Sequence, residues 1–358
     1  MSTIRERETG RALSQVDLDL ILEKTRNLWC EIRNQHIFIT GGTGFFGCWL
    51  TESFAHANRV LALDARATIL TRDPSAFAQK CPHLASDPAI TLLTGDVRDF
   101  AYPDGGFPYV IHAATESSAR QAPQKPLEMT ETILRGTERV LEFAATHGTR
   151  KFLFTSSGAV YGSQPASITH LAENYARVRD PLDSVSEYAE GKRAAESMCA
   201  AYSNKYGIEC KIARGFAFVG PHLPLDAHFA IGNFIRDAMR GISIEVNGDG
   251  TSKRSYMYAA DLAIWLWTIL LRGPANQVFN VGSDEAISIL KLAHVVAAAI
   301  GSPAAVRVAQ RARAGAEAQQ YVPDISKAQQ ELGLKCEVAL EDAIRRTAAW
   351  HGFPMVLR

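Results

Sequence analysis

Short apolar runs alternate with amphipathic segments along the first two thirds of the chain, and this alternation predicts the architecture. Each run has the length of a buried strand, and each segment between runs has the spacing of a helix packed by one face. Because parallel strands need helical crossovers, the pattern predicts a Rossmann-type, doubly wound parallel α/β sheet. Strands are expected at residues 37–39, 90–94, 109–114 and 151–155. Helices are expected at about residues 18–32, 46–57, 128–147 and 259–271.

Three glycines follow the first strand at a spacing typical of dinucleotide-binding proteins. Residues 40–47 read TGGTGFFG, between an apolar strand and a helical pattern. Gly41 permits the tight turn, Gly44 lets backbone N–H groups approach a pyrophosphate, and Gly47 lets helix and strand pack closely. The segment therefore predicts a site for NAD or NADP at the start of the helix. The residues expected to hold the cofactor here are Gly41, Thr43, Gly44, Phe45, Phe46 and Gly47.

The stretch after this helix has two interpretations, and they decide between NAD and NADP. Either residues 59–63 form the second strand and end in Asp64, or the helix continues and residues 67–70 form the strand, which ends in Thr71 and Arg72. An acid at this position accepts from the ribose 2′-hydroxyl of NAD, whereas an arginine binds the 2′-phosphate of NADP. The second interpretation gives the better strand, followed by Pro74, so Arg72 and NADP are favoured while Asp64 and NAD stay open.

Residues at the ends of the third and fourth strands complete the predicted cofactor site. Asp96 follows the third strand, where it would accept a hydrogen bond from the adenine amino group, and Val97 lies beside it. Ala113 and Ala114 end the fourth strand and leave space for a ribose or a ring. His112 is expected to be packed rather than catalytic, because it lies on a buried strand just before these small residues.

A serine, a tyrosine and a lysine supply the predicted chemistry. Tyr188 and Lys192 are four residues apart, so they lie on one face of a helix. The lysine ammonium would stabilise the phenolate and lower a pKa that is ordinarily about 10, which lets the tyrosine exchange protons near neutral pH. Ser157, at the end of the fifth strand, would hydrogen-bond the same substrate oxygen.

Taken together, these motifs resemble the extended short-chain dehydrogenase/reductases, the NAD(P)-dependent epimerase/dehydratase family that modifies nucleotide sugars. The resemblance covers about residues 35–281. It implies a Rossmann domain at residues 35–215 and a mainly substrate-binding domain at 216–358, some of whose segments return to the first domain; residues 1–34 form a helical extension. By resemblance Tyr188 is the acid/base, Lys192 holds the nicotinamide ribose, and Ser157 positions the sugar oxygen at C4. The family also commonly forms homodimers.

The same resemblance assigns contacts to a nucleotide-diphosphate sugar. Asn233 matches a position that touches the nucleotide, Arg254 matches the arginine that grips the pyrophosphate, and Thr115 belongs to a loop beside the sugar. An arginine suits this task because its guanidinium binds phosphate through two hydrogen bonds. Ala217 stands where the family usually has an asparagine that contacts a substrate phosphate.

Two small residues after the catalytic serine narrow the choice of reaction. Dehydratases of the family have an Asp-Glu pair there, and UDP-glucuronate decarboxylases, which residues 188–201 resemble most, have a glutamate. Gly158 and Ala159 cannot transfer a proton, so both reactions are disfavoured. Reduction of a 4-keto(-6-deoxy) sugar is the first prediction, and 4-epimerisation with retained NAD is the second. A regulator that binds the cofactor without turnover stays open as a different class.

Charge, cysteine spacing and hydropathy exclude several other functions. The 38 basic and 38 acidic residues balance, so there is no electrostatic footprint for nucleic acid or an anionic membrane. The six cysteines lack CxxC or Cys/His ligand spacing, which argues against a zinc site or a disulfide framework and favours a reducing cytoplasm. Apolar stretches are too short for a membrane span, and residues 1–11 are charged, unlike a signal peptide.

Overall fold

The computed structural model describes residues 10–114, 126–176, 187–227, 229–311 and 318–354. Its strands, numbered along the chain, are β1 His36–Thr40, β2 Arg66–Thr71, β3 Ile90–Thr94, β4 Tyr109–His112, β5 Lys151–Ser157, β6 Glu209–Gly215, β7 Phe218–Val219, β8 Ile244–Val246, β9 Lys253–Arg254, β10 Met257–Tyr258, β11 Gln277–Val281, β12 Ile287–Ser288, β13 Val306–Val308 and β14 Gln320–Tyr321. The α-helices are α1 Gln15–Thr25, α2 Phe45–Leu61, α3 Pro74–Lys80, α4 Pro82–Ala85, α5 Pro126–Thr146, α6 Glu187–Tyr206, α7 Ala230–Met239, α8 Ala259–Arg272, α9 Ile289–Ile300, α10 Ser326–Leu332 and α11 Leu340–Trp350.

Seven of these strands form one parallel sheet, which confirms the predicted fold. The order is β3-β2-β1-β4-β5-β6-β11, so the chain changes direction across the sheet between β1 and β4. At such a switch point the carboxyl ends of the strands open a crevice that binds ligands in α/β proteins. The glycine turn follows β1 and the two alanines follow β4, so both predicted features border this crevice.

The second strand is β2, and the interpretation of residues 59–63 as a strand is wrong. Helix α2 runs through Leu61, and both backbone groups of Ala65 are then bound by the side chain of Asn58 (3.0 and 3.1 Å). Asp64 lies in this turn, with a φ of 52°, at the amino end of β2. Arg72 follows the carboxyl end of β2, next to the crevice. The location of the strand therefore removes Asp64 as the residue that selects the cofactor.

The N-terminal helix is shorter than predicted. Helix α1 ends at Thr25, and a 3₁₀ turn follows at Trp29–Ile32. The indole of Trp29 donates to Thr25 Oγ1 (2.8 Å) and lies 4.8 Å from the ring of Trp267. Trp267 belongs to α8, so this segment packs on the long buried helix.

The predicted buried helix is α8, whose acidic residue is buried with it. Asp261 accepts from the backbone N–H groups of Glu337 and Val338 (3.0 and 3.1 Å), which satisfies the carboxylate without water. In the part of the chain that the structure describes, no helix has the length and apolarity needed to cross a bilayer.

The C-terminal part adds short strands above the crevice and returns one strand to the large sheet. β11 pairs with β6 at the sheet edge. β9 pairs with β12 and with β14, in a register that sets Arg254 opposite Tyr321. Two-residue strands therefore deliver these two side chains to the carboxyl end of β5.

Candidate active site

Of the three glycines with the dinucleotide-binding spacing, Gly41, Gly44 and Gly47, two have no room for a side chain. Gly41 has a φ of 70°, and a Cβ there would lie 2.5 Å from the Ala113 carbonyl. A Cβ at Gly47 would lie 2.2 Å from the Gly41 oxygen. At Gly44 the nearest heavy atom to a Cβ is the Gly41 oxygen, at 3.3 Å. The missing side chains at Gly41 and Gly47 thus allow the turn, helix α2 and β4 to pack closely, as the spacing predicted. Gly44 has more open space around it.

Gly44 is also the N-cap of α2, and it gives the helix no side-chain cap. The first N–H groups of a helix need an outside partner, and an anion can supply it. These residues therefore fit the pyrophosphate of a dinucleotide. Thr43 lies in the same turn, where its carbonyl accepts from the Lys80 ammonium (2.9 Å). The rings of Phe45 and Phe46, 5.9 Å apart, begin the helix.

The adenosine end of the predicted cofactor site contains an ion pair. Arg98 binds both carboxylate oxygens of Asp96 (2.8 and 3.1 Å). This hydrogen bonding, together with the nearby charge of Arg72, lowers the pKa of Asp96, so the carboxylate is ionised. Arg72 is exposed, and Val97 is buried beside Gly136. Two guanidinium groups thus lie near the position expected for the adenosine ribose.

His112 is packed, as the sequence predicted. Its ring binds Thr40 Oγ1 (2.7 Å) and Thr137 Oγ1 (3.1 Å). Burial lowers its pKa to about 3, so the ring is neutral. The same Thr40 accepts from the N–H groups of Ala113 and Ala114 and fixes the end of β4 against the glycine turn.

The structure brings the predicted serine, tyrosine and lysine together. Ser157 ends β5, and its hydroxyl lies close enough to the Tyr188 phenol of α6 to lower the pKa of that phenol. Lys192 lies one turn later and is 2% exposed. Its ammonium donates to the Thr155 carbonyl (2.7 Å) and lies 4.6 Å from the centroid of the Phe154 ring.

The pKa expected for Tyr188 is wrong for the chain without cofactor. Burial raises the pKa of Tyr188, and the neighbouring Ser157 hydroxyl offsets part of the rise. Burial also lowers the pKa of Lys192 to about 7, against the charge of Glu196. A lysine that loses its own proton near neutral pH cannot strongly stabilise a phenolate, which explains the difference.

Tyr321 is a site residue that sequence reasoning missed. Burial and the nearby Tyr188 raise the pKa of its hydroxyl, and the neighbouring Ser157 hydroxyl lowers that pKa. The Arg254 guanidinium lies 5.9 Å from the Tyr321 ring centroid. A residue predicted to bind the substrate therefore lies next to the serine and the tyrosines. No local pattern marks Tyr321, because its strand has two residues and its role depends on pairing with β9.

The phenol of Tyr321 also accounts for the glycine after the catalytic serine. A Cβ at Gly158 would lie 2.6 Å from Tyr321 Oη and 2.8 Å from the Phe216 ring. A longer side chain at position 158 would have to displace one of them. The absence of an acid there is therefore built into the packing of this site.

An ion pair between Glu196 and Arg214 stabilises the elements that carry the serine, the tyrosine and the lysine. Glu196, one turn after Lys192, accepts from Ser156 Oγ (2.6 Å) and takes two hydrogen bonds from Arg214 (2.9 and 2.6 Å). The arginine also lies over the ring of Tyr161, 4.7 Å from its centroid. These contacts fix the ends of β5 and β6 relative to α6.

The remaining predicted substrate residues lie elsewhere or outside the described part of the chain. Asn233 is on α7, where its side-chain oxygen accepts from Arg236 (2.9 Å). Ala217 accepts from the Met257 N–H through its backbone (3.0 Å). Thr115 falls outside the described residues.

The sequence profile of the NAD dependent epimerase/dehydratase family matches residues 37–282. The chain belongs to this family. UDP-glucuronic acid decarboxylase 1 of Arabidopsis thaliana is 30% identical over 312 residues, which are 87% of this chain and 68% of the relative. UDP-glucuronic acid decarboxylase 1 of Xenopus tropicalis is 28% identical over 318 residues, 88% of this chain and 72% of the relative. The chain is thus an extended short-chain dehydrogenase/reductase of the nucleotide-sugar epimerase, dehydratase and decarboxylase superfamily, whose family description names NAD.

Solved structures of family members share the fold. UDP-glucuronic acid 4-epimerase from Bacillus cereus superposes with a TM-score of 0.75 at 20% identity, over 88% of this chain and 99% of that one. DesIV, a dTDP-glucose 4,6-dehydratase from Streptomyces venezuelae, gives 0.74 at 24% identity, over 88% and 97%. The first was solved with UDP-glucuronic acid and NAD, and the second with NAD.

Proposed function

We propose that this enzyme reduces the C4 ketone of a 4-keto(-6-deoxy) nucleotide sugar, with NADPH as the favoured reductant. The observation that carries the proposal is that the Ser157 hydroxyl lies close to two phenols, Tyr188 and Tyr321, and influences the pKa of each. Glycine and alanine follow this serine, where elimination would require an acid and a base. Reduction at one carbon needs a hydride and one proton, and the site holds groups for that proton.

Each residue has a separate task in this reaction. Ser157 donates a hydrogen bond to the ketone oxygen, and Tyr188 gives that oxygen its proton. Tyr321 holds the serine hydroxyl in position from the opposite side, and Arg254 binds the pyrophosphate of the substrate. The bound nicotinamide supplies the hydride. The phosphate charges of the bound dinucleotide would favour the ammonium form of Lys192. This ammonium would then stabilise the phenolate that Tyr188 becomes when it gives up its proton.

Two arginines support NADP over NAD. Arg72 lies at the carboxyl end of β2, where an arginine accommodates the 2′-phosphate, and Arg98 adds a second guanidinium beside it. Asp64, the acid that would favour NAD, lies at the other end of the strand. The family itself is described as NAD-dependent, so the cofactor must be measured.

The experiment is a fluorescence titration with NADPH and NADH, followed by an assay on 4-keto-6-deoxy nucleotide sugars. The titration compares the wild type, Arg72→Ala and Arg66→Ala, the last being an exposed arginine at the opposite end of β2. We expect preference for NADPH, and a loss of about tenfold to a hundredfold in NADPH affinity in Arg72→Ala alone, since charged hydrogen bonds contribute about 1.5–3 kcal/mol. UDP sugars come first in the panel, because the curated relatives act on UDP-glucuronic acid by name.

Other results would replace the proposal by a named alternative. NAD released from denatured protein, with affinity independent of Arg72, would indicate a 4-epimerase that retains its cofactor. Release of CO₂ from UDP-glucuronic acid would indicate a decarboxylase like the curated relatives. Cofactor binding without turnover of any panel sugar would support a regulator.

The homodimer stays a prediction. Helices α5 and α6, to which the family resemblance assigns the contact, pack side by side on one face of the sheet. Light scattering during size-exclusion chromatography would give the mass in solution, and a monomer would contradict the prediction.

A further inference from the structure

Three buried side chains with ligand atoms for a soft metal meet behind the glycine turn. They are Cys48, Cys81 and His222, and their sulfur and ring-nitrogen atoms lie within 4.8 Å of one another. Cys48 is in the first turn of α2, Cys81 is at the junction of α3 and α4, and His222 follows β7. These residues are far apart in sequence, so linear ligand spacing could not reveal the cluster.

The histidine of this cluster is buried without a hydrogen bond. His222 is 7% exposed, and neither of its ring nitrogens has a partner. Its backbone has a φ of 69°, in the left-handed region that few non-glycine residues adopt. A buried polar group without a partner costs about 1–3 kcal/mol. The unpartnered imidazole, held in a strained backbone, therefore points to a ligand that would satisfy it.

The backbone around each ligand is anchored, so the cluster is preorganised. The Trp49 indole donates to the Pro221 carbonyl (2.9 Å) and fixes the loop that carries His222. The Cys81 N–H donates to the Phe77 carbonyl (2.7 Å). The Cys48 N–H donates to Gly44 (2.9 Å), within the first turn of α2.

Charged groups of both signs surround the cluster. Lys80 and Glu52 act on both thiols, and Lys80, His351 and His83 act on His222. Two thiolates would balance the charge of a divalent ion.

We propose that Cys48, Cys81 and His222 bind a soft divalent cation, with Zn²⁺ the best match, behind residues 40–47. Thiolate and imidazole are the ligands that Zn²⁺ prefers, at about 2.3 Å for sulfur and about 2.0–2.1 Å for nitrogen. Tetrahedral coordination leaves the fourth position to water. The bound ion ties α2, the α3–α4 junction and the loop after β7 together. Without metal the Cys48 thiol donates to the Thr43 carbonyl (3.5 Å), a hydrogen bond that the metal-bound thiolate would give up.

The test uses the full chain, purified under reducing conditions without chelator. Metal content is measured by mass spectrometry, and the metal is then replaced by Co²⁺, which gives a thiolate-to-cobalt charge-transfer band in the near ultraviolet. The variants are Cys81→Ser and His222→Asn, and the control is Cys210→Ser, a buried thiol on β6. Circular dichroism verifies that each variant folds.

We expect one metal ion per chain and a charge-transfer band that Cys81→Ser abolishes, His222→Asn weakens or shifts, and Cys210→Ser keeps. If the variants do not fold, the wild type decides: a chelator should remove the band and lower Tm, and Zn²⁺ should restore Tm. A wild type that binds no Zn²⁺ or Co²⁺ after equilibration would overturn the proposal. The proposal would also be overturned by a charge-transfer band that persists in Cys81→Ser. A disulfide between Cys48 and Cys81 in protein that holds no metal would overturn it as well.

Discussion

The two sides of the candidate site are built differently. Ser157, Tyr188 and Lys192 stand on β5 and α6, which have 7 and 20 residues. Arg254 and Tyr321 stand on β9 and β14, which have two residues each. Long elements hold the first group through local regularity, whereas the second group depends on pairing between distant segments. Function can thus depend on residues that leave almost no local pattern in the sequence.

The two phenols illustrate the difference in chemistry. Burial raises the pKa of both Tyr188 and Tyr321, and the Ser157 hydroxyl lies close to both phenols. Tyr188 has Lys192 one turn along its helix, which can balance a phenolate once the lysine is charged. Tyr321 adjoins Arg254, which the proposal assigns to the substrate pyrophosphate. We therefore infer that Tyr188 exchanges a proton during turnover and that Tyr321 stays protonated.

Removing the Tyr188 hydroxyl should have the largest effect. We expect Tyr188→Phe to lower kcat by about 10²–10⁴-fold, the usual contribution of a positioned acid or base. Cofactor affinity should stay close to that of the wild type. Single-turnover absorbance of NADPH measures the rate, with Tyr202→Phe on the same helix as the control. A loss below tenfold would assign the proton to another group.

Adding one carbon at position 158 should disturb the other phenol. In Gly158→Ala the new Cβ would lie 2.6 Å from Tyr321 Oη and 2.8 Å from the Phe216 ring, so the Tyr321 hydroxyl must shift from its position near Ser157. We expect kcat to fall by about ten- to a hundredfold, and Gly158→Ala with Tyr321→Phe to lose less than the two single losses combined, with a coupling of about 0.5–3 kcal/mol. Additive losses would show that the two groups do not contact each other.

Removing the Tyr321 hydroxyl alone should have a smaller effect. A single hydrogen bond contributes about 0.5–1.5 kcal/mol, so Tyr321→Phe should lower kcat by about tenfold or less. KM for the sugar should change little. The pH profile of kcat should keep its shape, because Tyr321 does not ionise in the working range. A shifted profile would mean that Tyr321, and not Tyr188, titrates during turnover.

Cofactor binding should take up a fraction of a proton. Burial lowers the pKa of Lys192 to about 7 in the free chain, so at pH 8 most molecules hold a neutral amine there. The phosphates of the dinucleotide favour the ammonium and raise this pKa, so affinity should fall as pH rises through about 7 to 9. Calorimetry in two buffers of different ionisation enthalpy measures the uptake, which Lys192→Met should abolish. Identical heats in both buffers would contradict the assignment.

The sequence predicted elements with strong periodicity and residues with close linear spacing. β3 matches its prediction at both ends, and the stretch after α2 needed the structure, because Asp64 and Arg72 both end plausible strands. Tyr188 and Lys192 were found because a helix turn joins them. Cys48, Cys81 and His222 were not, because crossover connections and a loop after β7 bring them together. Spacing along the chain gives no information about such contacts.

One isotope measurement would separate single-carbon reduction from the other reactions of the family. The enzyme is incubated in D₂O with NADPH and a 4-keto-6-deoxy nucleotide sugar, and in parallel with UDP-glucuronic acid. The products are analysed by mass spectrometry and by proton NMR, which distinguishes C4 epimers of equal mass. We predict reduction at C4 with no carbon-bound solvent deuterium beyond that of an enzyme-free control, and no change to UDP-glucuronic acid. Loss of CO₂ from UDP-glucuronic acid, or enzyme-dependent solvent deuterium on a sugar carbon, would contradict a site limited to one hydride and one proton.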